Sequence, residues 1–236
     1  MANNFFTILS FFYSLMLTII YFRRKNIRSL ETKIYSKIII TNFLNVTFAI
    51  LCYFTILYKD YSPLLNDFIS KTLLLLFITW ELFFTFYLLI IINNDDKKVK
   101  TTLEKIKNFM IGLYCLLVSI IYYLPLYYHN ENKIVYSYGP SANLIYALTA
   151  ILIFIWIVLI IKNIEVLKNK KSIPVVLFII LTIIVVIIQK QNPGLLLITA
   201  TETFITIIMY HTIENPDMKL LKEMHKAKEI SDNANE

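Results

Sequence analysis

Two glutamates in the middle of long apolar stretches are the residues of this chain most able to do chemistry. Glu81 lies in the run FITWELFF, and Glu202 lies in the run TATETF. A charged carboxylate at the centre of a bilayer costs about 2.5–3.5 kcal/mol on insertion scales, so such residues usually face the interior of a helix bundle. No Lys or Arg is expected at the same depth, because Lys71 is about 15 Å from Glu81 along a helix. Burial is therefore expected to favour the protonated form of both carboxyl groups.

The sequence leaves two interpretations of this pair open, with placement toward lipid as a minor third. Both side chains could be hydrogen-bonded to nearby Thr, Tyr or backbone groups and simply hold the bundle together. Alternatively, they line a polar pocket that senses a ligand, a cation or protons. Core packing is the alternative for the mid-helix Trp80 and Trp156, and an interfacial aromatic belt is the alternative for the loop tyrosines. The candidate sensing residues are Glu81, Glu202, Trp80, Tyr136 and Tyr138.

The sequence lacks the residues that several other functions require. The chain contains no GxGxxG, P-loop or HExxH pattern, and its last apolar stretch has no Lys for a retinal Schiff base. Cys52 and Cys115 have no Cys or His neighbour at metal-ligand spacing, so both are interpreted as small hydrophobic residues. The sequence shows no internal repeats with broken helices, which are typical of transporters. We therefore predict no catalytic residue, no metal ligand and no cofactor.

The composition predicts an all-α integral membrane protein built as a seven-transmembrane-helix bundle. The sequence is 58% hydrophobic and 17% charged, with a mean hydropathy of +0.64. Asn42 and Asn45, three residues apart in the second stretch, are expected to bond a neighbouring helix. The predicted spans are Phe5–Phe22, Ile38–Tyr58, Phe68–Ile92, Phe109–Tyr128, Leu144–Ile161, Pro174–Gln189 and Leu195–Ile213.

The basic residues predict the orientation of these spans. With the N-terminus outside and the C-terminus cytoplasmic, 19 of the 23 Lys and Arg residues lie on the inner side. The outer side keeps Lys59, Lys71, Lys133 and Lys190. The net charge of +7 is thus interpreted as a topology signal and a contact for anionic membrane lipid, not as a nucleic-acid footprint. The expected location is the plasma membrane, as a multi-pass protein.

Three connections have recognisable patterns. Lys97–Asn108 has apolar residues at helical spacing, which predicts a cytoplasmic continuation of helix three or a surface helix. His129–Asn143 has an Asn-rich turn between YYH and KIVYSY, which predicts a small β-hairpin. Gln191-Asn192-Pro193-Gly194 predicts a tight turn between the last two spans.

The charged C-terminal segment contains a weak heptad seam. Positions spaced alternately four and three residues apart predict a short dimerising helix, and a solvated amphipathic tail is the alternative. Asp217 and Ser231 occupy positions where Leu would be usual. The seam comprises Ile213, Asp217, Leu220, Met224, Ala227, Ser231 and Ala234.

The segment ENPDMKLLKEMHKAKEISDNANE resembles the lead-in to the dimerisation and phosphoacceptor domain of bacterial sensor histidine kinases. The preceding helices, with the loop KIVYSYGPSAN, look like the membrane sensor region of a group of such kinases. The resemblance implies a sensor domain over residues 1–213 and a juxtamembrane signalling helix over residues 214–236. It also implies a homodimer, an unknown ligand or stimulus, and phosphoacceptor and ATP-binding domains beyond Glu236. His225 lacks the phosphoacceptor pattern, so this chain holds no kinase chemistry and would be an input module of a two-component system.

The main alternative is a stand-alone seven-helix membrane carrier or partner-binding subunit with a solvated tail. A membrane enzyme is the third interpretation, and only Glu81 and Glu202 favour it.

Overall fold

The computed structural model describes residues 5–23, 29–92, 96–131, 134–163 and 173–214, together with residues 224 and 228. Within these residues the chain forms seven helices and one hairpin. The helices are α1 (Phe5–Arg23), α2 (Leu30–Leu57), α3 (Pro63–Ile92), α4 (Asp96–Tyr123), α5 (Pro140–Lys162), α6 (Ile173–Gln191) and α7 (Leu197–Met209). The strands β1 (Tyr127–Glu131) and β2 (Ile134–Tyr138) lie between α4 and α5.

Five of these helices are long and apolar enough to cross a membrane: α1, α2, α3, α5 and the part of α4 from Ile106 to Tyr123. A sixth, over Val175–Gln191 of α6, is apolar but shorter. The expected all-α bundle is confirmed, and its helices are compatible with a membrane protein. α3 is the central helix. In its most apolar 18 residues 61% of the residues are buried, whereas in those of α4 only 11% are.

α2 begins eight residues before the predicted span because Ser29 caps it. The backbone of Ser29 is extended, and its hydroxyl accepts a hydrogen bond from the N–H of Thr32 at 3.1 Å. This bond satisfies one of the backbone donors that a helix leaves unpaired in its first turn. Glu31 adds a negative charge at the positive end of the helix dipole. A search for apolar residues alone misses this polar first turn.

The predicted end of the fourth span was wrong. α4 ends at Tyr123, and Tyr127 and Tyr128 belong to β1. Pro125 cannot continue a helix, because it has no N–H to donate and its ring clashes with the preceding turn. The Ser141 hydroxyl lies within hydrogen-bonding distance of the carbonyl oxygens of Leu124, at 2.9 Å, and Pro125, at 3.3 Å. The start of α5 therefore supplies a donor for the end of α4.

The segment Lys97–Asn108 also differs from its prediction, since it forms the first part of α4 and does not continue helix three. The predicted hairpin is confirmed. Its strands are antiparallel, with Tyr127 opposite Tyr138 and His129 opposite Tyr136. The predicted tight turn is a short 3₁₀ helix over Pro193–Leu195.

Gly139 joins the hairpin to α5 in a conformation that few other residues adopt. Its φ is +119°, and a Cβ atom placed there would lie 2.8 Å from the Cδ2 atom of Tyr127. Both the backbone angle and the close approach disfavour a larger residue. Pro140 follows as the first residue of α5, where its fixed φ suits the start of a helix.

Aromatic rings fill the core between α3, α5 and α6. Trp80 stacks on Phe84 with ring centroids 5.5 Å apart, and Phe178 of α6 packs against both rings. Trp156 of α5 packs against Phe84 at 5.2 Å. Both tryptophans are fully buried. This cluster fixes the relative positions of the three helices that carry much of the site described below.

Apart from Ile213, the C-terminal seam falls largely outside the described residues, which after Glu214 include only Met224 and Lys228. Both are helical and exposed. The seam positions Leu220, Ala227, Ser231 and Ala234 lie outside the described part of the chain.

Candidate functional site

A cavity of about 100 Å³ lies among α2, α3, α5, α6 and α7, and β2 contributes to its wall. Glu81 from α3 and Glu202 from α7 both line it. The sequence could not say whether these residues face each other, and the structure brings them to one site.

Glu81 is held by α5. It is 6% exposed, and the Thr149 hydroxyl lies 2.8 Å from its Oε1 and 3.0 Å from its Oε2. The backbone carbonyl of Glu81 accepts a hydrogen bond from Thr85, whose hydroxyl accepts one from the Trp156 indole at 2.9 Å. The position of Glu81 is therefore fixed through both its side chain and its backbone.

Glu202 is held by α2. It is 2% exposed, and the Asn45 amide donates to its Oε2 at 2.7 Å. Asn45 is completely buried, and its own Oδ1 has no hydrogen-bond partner among the described residues. The prediction that Asn42 and Asn45 bond neighbouring helices is confirmed, since Asn42 donates to Ser14 of α1 at 2.9 Å.

Among the described residues, no basic side chain lines the cavity beside the two carboxyl groups, since the lining contains no Lys, Arg or His. Lys71, on the same helix as Glu81, is buried elsewhere: it pairs with Asp67 at 2.9 Å and donates to the carbonyl of Tyr122 at 3.0 Å. The cavity is therefore acidic, and no cationic side chain of the described chain compensates it.

α6 contributes two polar residues to the cavity. The Thr182 hydroxyl is buried and has no partner among the described residues. Gln189 accepts a hydrogen bond from the N–H of Leu197 at 3.1 Å and so caps the start of α7. Just before that residue, Leu196 has a left-handed backbone, with φ of +33° and ψ of 49°. A non-glycine residue in this region is strained by about 1–2 kcal/mol, which the surrounding contacts must offset.

Three of the five predicted sensing residues meet at the cavity, namely Glu81, Glu202 and Tyr136. Tyr136 of β2 stacks on His129 of β1 with centroids 4.9 Å apart. Trp80 instead lies in the aromatic core, and its indole N–H has no partner among the described residues. Tyr138 is 49% exposed on the hairpin, outside the lining, and packs against Tyr127.

The prediction missed Thr149, Thr182, Gln189 and Tyr146 as site residues. Two of them carried a signal in the sequence, because Thr182 and Gln189 are the polar residues of the otherwise apolar stretch Pro174–Gln189. They are seven residues apart, so they share one face of a helix. Thr149 and Tyr146 carried none, since both residue types are common in membrane helices.

A polar cluster attaches the hairpin to the helices. The Tyr128 hydroxyl donates to Asp67 at 2.9 Å, and Lys59 donates to the Tyr128 carbonyl at 3.3 Å. Burial, and then the Asp67 carboxylate that accepts its hydrogen bond, raise the pKa of Tyr128 above its ordinary value. The hairpin is thus pinned beside the cavity whose wall it helps to form.

α7 is bonded to α2 along one face. In addition to the contact between Asn45 and Glu202, the Tyr35 hydroxyl donates to the carbonyl of Thr206 at 2.6 Å. Thr203 donates to Asn42 at 3.2 Å. α7 then passes directly into a π-helical turn over Tyr210–Glu214. Such turns insert an extra residue into the helical register and often occur at functional sites.

Comparisons with known proteins found no match: no family model, no curated protein and no solved structure matches this chain.

Proposed function

We propose that this protein is the membrane sensor module of a two-component histidine kinase. In this proposal its stimulus acts at the cavity, and α7 passes the response to dimerisation and kinase domains that follow this chain. The observation that carries the proposal is the position of Glu202, which lines the cavity from α7, the helix that leads toward the C-terminal segment. The resemblance of the C-terminal segment to the lead-in of kinase dimerisation domains supports the same assignment.

The full topology belongs to this proposal: seven spans, the N-terminus outside and the C-terminus cytoplasmic. α6 has 19 residues, and α7 with its π turn covers Leu197–Glu214. At about 1.5 Å per residue, each reaches nearly across a hydrocarbon layer of about 30 Å. The distribution of Lys and Arg between the two sides supports the orientation. The proposed location is the plasma membrane.

Two features of α7 suit it to transmit a signal. Its first turn depends on the strained Leu196 and on the Gln189 side chain, and its last turn is a π helix. A change at the cavity can therefore alter the start of the helix, while the π turn allows a register shift at its end. In a homodimer the same shift would reach both C-terminal segments.

The required energy is small. A stimulus that binds one arrangement of α7 a hundredfold more tightly than another shifts the equilibrium by about 2.7 kcal/mol. That is comparable to the strain at Leu196 together with one or two of the hydrogen bonds between α2 and α7. Binding in the cavity is thus sufficient to move a helix held in this way.

The test is a fusion of residues 1–236 to the catalytic core of a histidine kinase, with autophosphorylation measured in lipid nanodiscs. Insertions of one to four residues after Ala227 rotate the kinase by about 100° per residue. We expect kinase activity to oscillate with helical phase. Activity that is the same for every insertion would overturn the proposal.

A carrier is the second candidate, because an acidic cavity inside a bundle would also serve transport. Solute or proton flux in proteoliposomes that is abolished by Glu81→Gln, together with flat activity in the fusions, would favour this function.

A further inference from the structure

We propose that the cavity binds a small organic cation, with its ammonium group at Glu81 and Glu202 and its apolar body against the remaining lining. Binding follows from the cavity itself, whereas its role as a stimulus rests on the proposed function.

Charge is the first argument. Two carboxyl groups line one cavity, and among the described residues no basic side chain lines it with them. A buried carboxylate is stable only when a proton or a positive charge accompanies it. The lysine on the same helix is committed to Asp67 and to the Tyr122 carbonyl. Each carboxyl group therefore needs either a proton or a positive charge that the described residues do not supply.

Hydrogen bonding is the second argument, and it is independent of the carboxyl groups. The Thr182 hydroxyl is more than nine-tenths buried, lines the cavity from a different helix, and has no partner among the described residues. Leaving a buried hydroxyl unpaired costs about 1–3 kcal/mol. Thr149 already donates its hydrogen to Glu81, and Gln189 accepts from the backbone of Leu197. The site thus offers acceptors in excess, and an ammonium group offers three donors.

The apolar part of the lining gives the third argument. Phe77, Ile145 and Phe178 line the same cavity as the carboxyl groups. Aromatic faces attract organic cations as well as apolar groups. The volume of about 100 Å³ is smaller than the cavity of about 150 Å³ that admits benzene in other proteins. We therefore expect a ligand with about six or fewer non-hydrogen atoms.

Two simpler occupants fit less well. Magnesium or calcium takes about six or more oxygen ligands, and in the part of the chain described no three His, Cys, Asp or Glu residues are placed to hold one ion. Protons alone neutralise the carboxyl groups but leave the Thr182 hydroxyl and the apolar volume unfilled. The experiment below distinguishes an inorganic cation and protons alone from the proposed organic cation.

The experiment measures binding to the full chain in nanodiscs by isothermal titration calorimetry, with empty nanodiscs as the blank. The probe is isobutylammonium, and isobutanol is its neutral counterpart of the same shape. We expect isobutylammonium to bind and isobutanol to bind at least tenfold more weakly. Tetramethylammonium has the charge without the N–H donors, and we expect it to bind with intermediate affinity.

Variants locate the site. Glu81→Gln and Glu202→Gln keep the size of each side chain but remove its charge, so each should weaken binding about 10- to 100-fold, the range for a hydrogen bond to a charged group. Glu131→Gln makes the same change on an exposed residue of β1 and should have no effect. Thr182→Val removes the hydroxyl with little change in shape and should weaken binding several-fold. Because Thr182 carries no charge, this variant keeps the proposal testable even if the Glu variants do not fold.

Equal binding of isobutylammonium and isobutanol would overturn the proposal in favour of a neutral ligand. Saturable binding of sodium or calcium without binding of the ammonium probes would overturn it in favour of an inorganic cation. No binding of any probe would leave protons as the occupant and would also overturn it. The kinase fusions separate the two proposals, since binding with flat kinase activity refutes only the sensor, and oscillating activity without binding refutes only the ligand class.

Discussion

The hydrogen bond between Asn45 and Glu202 should couple α2 and α7 measurably. Asn45 is completely buried, Glu202 is 2% exposed, and the donor–acceptor distance is 2.7 Å. Hydrogen bonds between membrane helices average about 0.6 kcal/mol in double-mutant cycles, with a maximum near 1.7 kcal/mol. A bond to an ionised carboxylate is worth about 1.5–3 kcal/mol. We expect a coupling energy of about 0.6–1.7 kcal/mol, the range for a neutral carboxyl group.

The assay is a double-mutant cycle built from Asn45→Ala and Glu202→Met, with the free energy of unfolding measured in detergent micelles. Each substitution leaves a cavity whose free-energy cost is present in both the single and the double variant. This cost therefore cancels from the coupling energy when the two sites relax independently. The matched control is a cycle between Thr149→Val and Glu202→Met. Thr149 bonds Glu81 and not Glu202, so this cycle should give nearly additive energies.

A coupling energy no larger than that of the control would refute the contact between α2 and α7. A coupling near 3 kcal/mol would instead show that Glu202 is ionised when no ligand has been added. That result would contradict the expectation from its burial, and it would imply that a cation already occupies the site.

Three further predictions concern the hairpin and α2. Gly139→Ala should destabilise the protein by about 1–3 kcal/mol in thermal unfolding, because its φ is positive and its Cβ would meet Tyr127, whereas an unchanged melting temperature would contradict this. Tyr128→Phe removes the bond to Asp67 and should raise amide hydrogen exchange in the hairpin by several-fold, with exchange in α2 as the internal control. The raised pKa of Tyr128 means that its contribution to stability is complete below about pH 10, the ordinary tyrosine value, and is lost as pH rises further. The Phe variant should therefore lose less stability than the parent between neutral pH and pH 11. Ser29→Ala should cost about 1 kcal/mol through loss of the N-cap, and Ser29→Asp should restore it.

Much of the secondary structure could be predicted because its causes are local. Apolar runs long enough to cross hydrocarbon identified the helices, and the Asn-rich turn identified the hairpin. The errors also have local causes. Pro125 ends α4 inside an apolar stretch, and the cap at Ser29 starts α2 before its apolar stretch begins. The segment Lys97–Asn108 has a helical pattern that fits either neighbouring helix, so periodicity could not assign it to α4.

The sequence by itself indicated that Glu81 and Glu202 belong inside the bundle, because a carboxyl group exposed to lipid at that depth is costly. Only the tertiary structure decided what each one meets. Glu81 faces Thr149 on α5, and Glu202 faces Asn45 on α2, contacts that join residues 68 and 157 positions apart in the chain. Those pairings depend on how five helices rotate and pack against one another. That packing is set by ring contacts between different helices, such as Trp80 with Phe178. Such contacts cannot be predicted from the sequence of one helix alone. The cavity exists for the same reason, since it is the space that these helices leave between them.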